Sequence, residues 1–439
     1  MGSTAVGKPN RKHRAAKRRA GQGGADFWAI HGVSGTAQPT VEQIANAIMA
    51  AAGETAQGDS TVANRFAAQL AGVDAIVSAV ELGAHSAGRH LIARAFQNGW
   101  LPADVVRAAH RRVDTFAVSF LTDVMAAYLA PFAPATVDET WLAQLRELAA
   151  DTWWSDSAPH LGQWAAKHML TSTEALTAVI EALAVLIVLP KLELITPLPG
   201  TARPQAEVRH HVDEKVLGRV RGLLAKAEST SYPDEAEALS AKAQELMTKY
   251  ALDRVLVDAD SSVADLPGAR RIWLETPYLD AKALLIDVVT QANRGRAIFA
   301  SEWGFVTVVG DEADLDAVEL LSTSLLVQAT RAMIASGNRE TRGDEARSRA
   351  FRKAFLVSYA TRIGERLAAA TATTIAESAE PQRLLPVLAS HQIAVDAAFD
   401  TLFPRTRSRG VTIRSAEGWD AGRTAADRAR LEARRPLGK

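Results

Sequence analysis

Two groups of cations and a handful of histidines are the side chains of this 439-residue chain best suited to chemistry. Lys8, Arg11, Lys12, Arg14, Lys17, Arg18 and Arg19 fall close together, and residues 1–25 contain no acid. That density suits a nucleic-acid backbone, where each neutralised phosphate releases counterions and makes binding salt-dependent. No aromatic side chain interleaves them, so such an arm would hold phosphates without reading bases. The alternative is a solvated tail that aids solubility or meets the acidic body of its own chain.

The second group is Arg347, Arg349, Arg352 and Lys353 at the start of a basic helix expected over 345–371, with Arg362 and Arg366 further along. Cations at a helix N-terminus oppose the macrodipole. They therefore call for a counter-charge, either an external phosphate or the acid-rich stretch 254–344 that precedes them. Phe351, Phe355, Tyr359 and Leu367 supply the face this helix would bury. Both groups point to DNA or RNA as a partner.

The histidines carry less. His210–His211 beside Asp213 and Glu214 has the composition of a divalent-metal site, yet no HExxH spacing accompanies it, and acids at a helix start explain the carboxylates. His160 and His168 share a helix face but lie among Trp153, Trp154 and Trp164, as core or interface histidines would; His85 and His90 do not share a face. The absence of cysteine excludes disulfides, thiolate nucleophiles and cysteine-bound zinc. No Gly-x-Ser-x-Gly, dinucleotide or Walker-type loop is present. Asp311, after Val309–Gly310, is a carboxylate at a strand end whose ordinary role is helix capping. No catalytic residue, cofactor or metal is assigned, and a hydrolase with an unfamiliar site stays open.

The elements that must position these residues are mostly helices. The chain is 48% hydrophobic and only 6% aromatic, which suits a mainly α protein with a smaller α+β C-terminal region. The pattern divides into a disordered basic arm (1–38), a helical N-terminal domain (40–195), a helical hairpin (215–253) and an α+β domain (270–435). Pro190, Pro197, Gly200 and Pro204 mark a linker before the hairpin. Helices are expected over 41–52, 59–82, 84–97, 102–130, 136–151, 160–169 and 172–189, and again over 278–293, 310–335, 345–371, 384–402 and 418–435. Strands are expected at Arg296–Ala300, Phe305–Gly310 and 411–414, and a loop over 254–271. The most apolar run, 175–189, is short, contains Glu181 and ends at Pro190, so it reads as a buried helix. The basic N-terminus lacks an apolar core behind it. A cytoplasmic protein without a membrane partner is expected.

The hairpin has the sharpest pattern. At about 100° per residue, Val216, Leu217, Val220, Leu223, Leu224 and Ala227 share an apolar arc of roughly 120°. Lys215, Arg219 and Lys226 form a basic stripe, and Gly218, Gly222 and Ala225 a strip almost free of side chains. Glycine inside a helix costs about 1 kcal/mol relative to alanine, so a close approach by another backbone or a ligand is implied. The strip is a candidate seat for a partner protein helix. Ser231 to Glu235 starts the second helix, whose apolar face is Ala236, Leu239, Ala243, Leu246, Met247 and Tyr250. Near the C-terminus Gly418, Gly422, Ala425, Ala426 and Ala429 form a similar strip, for which Gly218/Gly222 is the expected packing counterpart.

In its charged residue, Val/Leu pairs, "LLAKAES", polar turn and "EAEAL.AKAQELM.KY", the hairpin resembles the "domain of unknown function 2786" family of bacterial and phage proteins. Phe351–Arg352, Phe355, Arg362–Ile363 and Arg366–Leu367 are similar to the C-terminal companion region of that family. "GWLPADVVRAA" at 99–109 resembles the N-terminal part of its longer actinobacterial members. The resemblance implies an intracellular bacterial protein. It brings no activity and no catalytic residues.

Overall fold

A computed structural model describes residues 39–72, 76–202, 214–230, 235, 239, 242–250, 267–339, 349–378, 381–406 and 416–428. The fold is mainly helical with one three-stranded antiparallel sheet in the C-terminal half. The chain divides into two compact units, residues 1–204 and 205–439. Among the described residues no single helix is long and apolar enough to cross a membrane.

The first unit contains α1 (Val41–Ala56), α2 (Ser60–Ala71), α3 (Val77–Gln97), α4 (Pro102–His110), α5 (Thr115–Leu129), α6 (Glu139–Glu147), α7 (His160–Lys167) and α8 (Ser172–Ile187). Polar caps set several starts. Thr40 and Thr171 each form a capping box, with Gln43 and Glu174, while Asp59, Asp114 and Asp138 accept backbone N–H bonds. The sequence expectation of one helix over 102–130 is corrected here: Asp114 caps a fresh helix and splits the segment. The break expected at Gly83 falls instead near Gly72. Gly83 stays inside α3, where a Cβ would stand 2.7 Å from an Ile44 methyl of α1.

α8 is buried from Ala175 through Leu186 except at Thr177 and Glu181, as its apolar run requires. Trp100, Trp141 and Trp164 of this unit are fully buried. The stretch after α8, read from sequence as a linker, lies along its own bundle. The Trp100 indole donates to Pro190 O (2.8 Å), and the Trp141 indole to Pro197 O (3.0 Å). Gly99, at φ +84°, makes the turn under this strand of chain, where any Cβ would meet Leu192 O at 2.6 Å.

The second unit contains α9 (Glu214–Ser229), a helical stretch over 242–250, β1 (Gly268–Trp273), α10 (Leu279–Ala292), β2 (Arg296–Ala300), β3 (Phe305–Gly310), α11 (Glu312–Arg339), α12 (Arg349–Ala376), α13 (Pro381–Leu402) and α14 (Ala416–Arg428). The strand order is β1-β3-β2, antiparallel throughout, with Ile272 opposite Val306 and Phe299 also opposite Val306. β1 corrects the loop expected over 254–271. Side-chain alternation gives the sheet two faces. Ile272, Ala297, Phe299, Val306 and Val308 enter the main core with α10, α11 and α12. Ala269, Ile298 and Val309 meet Val395 and Phe399 of α13. The strand expected at 411–414 and the arm 1–38 lie outside the described residues.

Candidate functional site

The hairpin joins this core through its apolar seam. Val220, Leu224, Ala243 and Met247 are buried in the same cluster as Ile272, Ile286 and Phe355. A polar anchor fixes the register: buried Gln244 donates through Nε2 to Asn293 Oδ1 (3.1 Å) at the end of α10 and to Thr248 Oγ1 (3.3 Å). The seam is thus consumed by docking, and the opposite face of α9 turns outward.

That outward face holds Gly218, Arg219, Arg221, Gly222, Ala225 and Lys226, all exposed. A Cβ built on Gly218 or Gly222 would meet no described atom within 4 Å. Lys226 reaches Glu235 at 3.1 Å, closing the hairpin turn. Lys215 is helical, but its side chain lies outside the described residues. Sequence reasoning passed over Arg221. On a helical wheel it flanks the glycine strip on the side opposite Arg219 and Lys226, so the bare strip runs between cations.

The glycines of the last helix behave differently. A Cβ on Gly418 would lie 2.4 Å from Phe351 O, and one on Gly422 2.2 Å from Phe355 O. The packing counterpart of this strip is therefore the α12 backbone. The expectation that Gly218/Gly222 fills that role is overturned, because the two pairs face different surroundings.

The basic helix is largely neutralised from within. Lys353 pairs with Asp280 of α10 at 2.5 Å, an acid of the 254–344 stretch. Arg362 pairs with Glu365 at 2.6 Å, and Arg366 donates to the Ala426 carbonyl of α14. Arg349 and Arg352 remain exposed on α12. Lys8, Arg11, Lys12, Arg14, Lys17, Arg18, Arg19 and Arg347, together with His210 and His211, lie outside the described residues.

Two histidine–carboxylate groupings appear that sequence spacing did not connect. In the first unit, His160 Nε2 donates to Asp123 Oδ2 (2.8 Å), which also accepts the Trp153 indole N–H (3.0 Å). Both His160 and Asp123 are buried. His85 of α3 packs edge-on to His160 with ring centroids 5.2 Å apart, and Trp154 lies 4.4 Å from the same ring. Burial, followed by the charges of His160 and Arg89, drives the His85 imidazole down to about 4. Nearby, Trp164 donates to Ser119 Oγ (3.3 Å), which directs the Ser119 hydroxyl toward His168 Nε2 (3.1 Å). His160 and His168 thus sit among aromatic side chains, each tied to a helix partner.

In the second unit, His391 Nδ1 contacts Asp311 Oδ2 at 2.8 Å, so the strand-end carboxylate is held by α13. Three residues on, Asp314 is buried and bound by Arg294, whose Nε donates to Asp314 Oδ2 at 3.1 Å. Burial pushes the Asp314 carboxyl above its usual range, against the opposing pull of Arg294. Among the described residues no group of three or more His, Asp or Glu is placed to hold a metal ion.

A helical chain with a docked hairpin and a small antiparallel sheet is the class this geometry defines. Residues 215–254, the hairpin, match the family model described as "protein of unknown function (DUF2786)". No curated protein matches the chain, and no solved structure does.

Proposed function

We propose that this is a non-enzymatic, cytoplasmic bacterial protein that associates with nucleic acid by holding phosphate backbone. The observation that carries the reading is the outward face of α9, where open space over Gly218 and Gly222 runs between Arg219 and Arg221. A phosphodiester strand can lie on such a strip in van der Waals contact and still meet a guanidinium on each side. Arg349 and Arg352, exposed at the start of α12, offer a second contact. The arm at 8–19 supplies the densest charge in the sequence.

The test is salt-dependent binding of the full chain to mixed-sequence duplex and single-stranded oligonucleotides. Replacing Arg219 and Arg221 with alanine removes two phosphate contacts and lowers the log–log salt slope by about 1.8 for duplex DNA. Deleting residues 1–25 flattens it further. Affinity and slope unchanged in both variants would refute the reading.

A second reading has its own support. The pair Gly418/Gly422 seats the α12 backbone, so this chain uses glycines four apart as a helix seat. On that reading Gly218/Gly222 receives a helix of a partner protein, and the chain is an adaptor. Copurification of a defined protein, lost on Gly222→Leu while nucleic-acid affinity persists, would favour it.

A further inference from the structure

Buried His160 and half-buried His85 of the first unit belong to neither reading, and their arrangement has a consequence of its own. α7 and the segment 151–159 form one piece: Gln163 of α7 donates to Ser155 O and Ala158 O (both 2.8 Å) and accepts from Ser155 N (3.0 Å). This piece meets α3 and α5 through a compact polar and aromatic cluster. His160 and Trp153 both donate to Asp123 of α5, and His85 of α3 lies against His160 and Trp154. Phe120 lies 5.9 Å from His160 on the other side. His85 Nδ1 and His160 Nδ1 are both buried without a hydrogen-bond partner.

We infer that the His85–His160 pair is an acid-sensitive latch that holds α7 and the 151–159 segment on α3 and α5. The His85 imidazole is favoured in its neutral form at this site. His160 donates its Nε2 proton to Asp123, which fixes its ring against His85, whose own buried Nδ1 meets no hydrogen-bond partner among the described residues. A proton on His85 creates a cation facing His160 and Arg89, opposed by the charge of Asp123. Glu81, one turn before His85 on α3, lies against Gly162 of α7, and burial raises its carboxyl, so acid removes that negative charge as well. On α7, Lys167 sits 3.8 Å over the Trp153 ring and adds a further positive charge, and His168 is held by Ser119. An imidazolium at His85 stands against the His160 and Trp154 rings, and its partial burial weakens the solvation of the charge.

The sign follows from linkage. His85 is lowered from 6.5 to about 4 in the closed state, so the opened state binds the proton more readily between those values. Closure is complete above about pH 6.5 and weakens as the pH falls toward 4, by up to ~10-fold per pH unit.

Hydrogen–deuterium exchange of the full chain, corrected for intrinsic rates at pH 7 and pH 5, tests this. Residues 151–168 should lose protection at least ~10-fold more than α8, and His85→Gln should abolish most of that acid-specific loss. The imidazole C2-proton exchange of wild-type protein gives a variant-free measure, with the His85 midpoint well below that of an ordinary imidazole. Equal protection of 151–168 at both pH values, undiminished acid loss in His85→Gln, or a His85 midpoint near 6.5 would overturn the latch.

Discussion

Substituting alanine for glycine at two positions with the same sequence spacing should move stability in opposite directions. At Gly222 the helix face is open to solvent, with no described atom within 4 Å of a new Cβ. Alanine there removes the conformational penalty of glycine in a helix interior, about 0.8–1.0 kcal/mol. At Gly422 the new Cβ would lie 2.2 Å from Phe355 O, against an ordinary contact near 3.4 Å. The obstacle is backbone in the middle of α12, so no rotamer change relieves it, and the two helices must separate by about 1.2 Å (3.4 minus 2.2). A gap of that size forfeits much of the dispersion between the facing atoms, here Phe355, Trp419, Ala425 and Ala426. Overpacking of this kind costs ~3 kcal/mol. After the ~1 kcal/mol propensity gain, Gly422→Ala should be about 2 kcal/mol less stable than the parent and about 3 less stable than Gly222→Ala. Urea denaturation followed by far-UV circular dichroism, with exchange protection of 349–376 reporting on the second unit, measures both. A Gly422→Ala protein as stable as the parent, or a destabilised Gly222→Ala with unchanged m-value, would refute the reasoning.

Two further substitutions probe the scaffold. Thr171→Ala removes the hydroxyl that caps α8 through Glu174 N (3.3 Å), and should cost the first unit about 1 kcal/mol by thermal or urea unfolding. Arg294→Ala strands the buried Asp314 carboxylate and should destabilise the second unit by about 3 kcal/mol, most of it recovered when Asp314→Leu is added to an Arg294→Met background. A neutral Arg294→Ala would show that Asp314 is not held as an ion pair.

The parts legible in the chain itself were those fixed by local physics. The β2 and β3 bounds follow from an alternating segment and a β-branched run on either side of a four-residue turn, and the structure keeps them. Helix starts with a threonine or aspartate cap were also visible, as was the burial of α8. The seam of the hairpin could be drawn because periodicity alone says which side chains share a face. β1 could not be drawn. Its arginines read as polar loop, and the pairing that makes it a strand, Gly268 with Gly310 through Trp273 with Phe305, comes from residues more than thirty positions away.

What tertiary structure decided was which of several equivalent features is used. Gly218/Gly222 and Gly418/Gly422 are the same signal in sequence, but one pair is open and the other sealed by α12, since only packing determines what approaches a helix face. The cations at the start of α12 look alike in the chain. Lys353 is matched by Asp280 while Arg349 and Arg352 face outward, because a counter-charge is a matter of distance in space. His85, Asp123 and His160 belong to three helices, and no spacing in the sequence brings them together. Side-chain periodicity is a property of one element and can be read from the chain; contact between elements depends on how their faces pair, and that is set by the core as a whole.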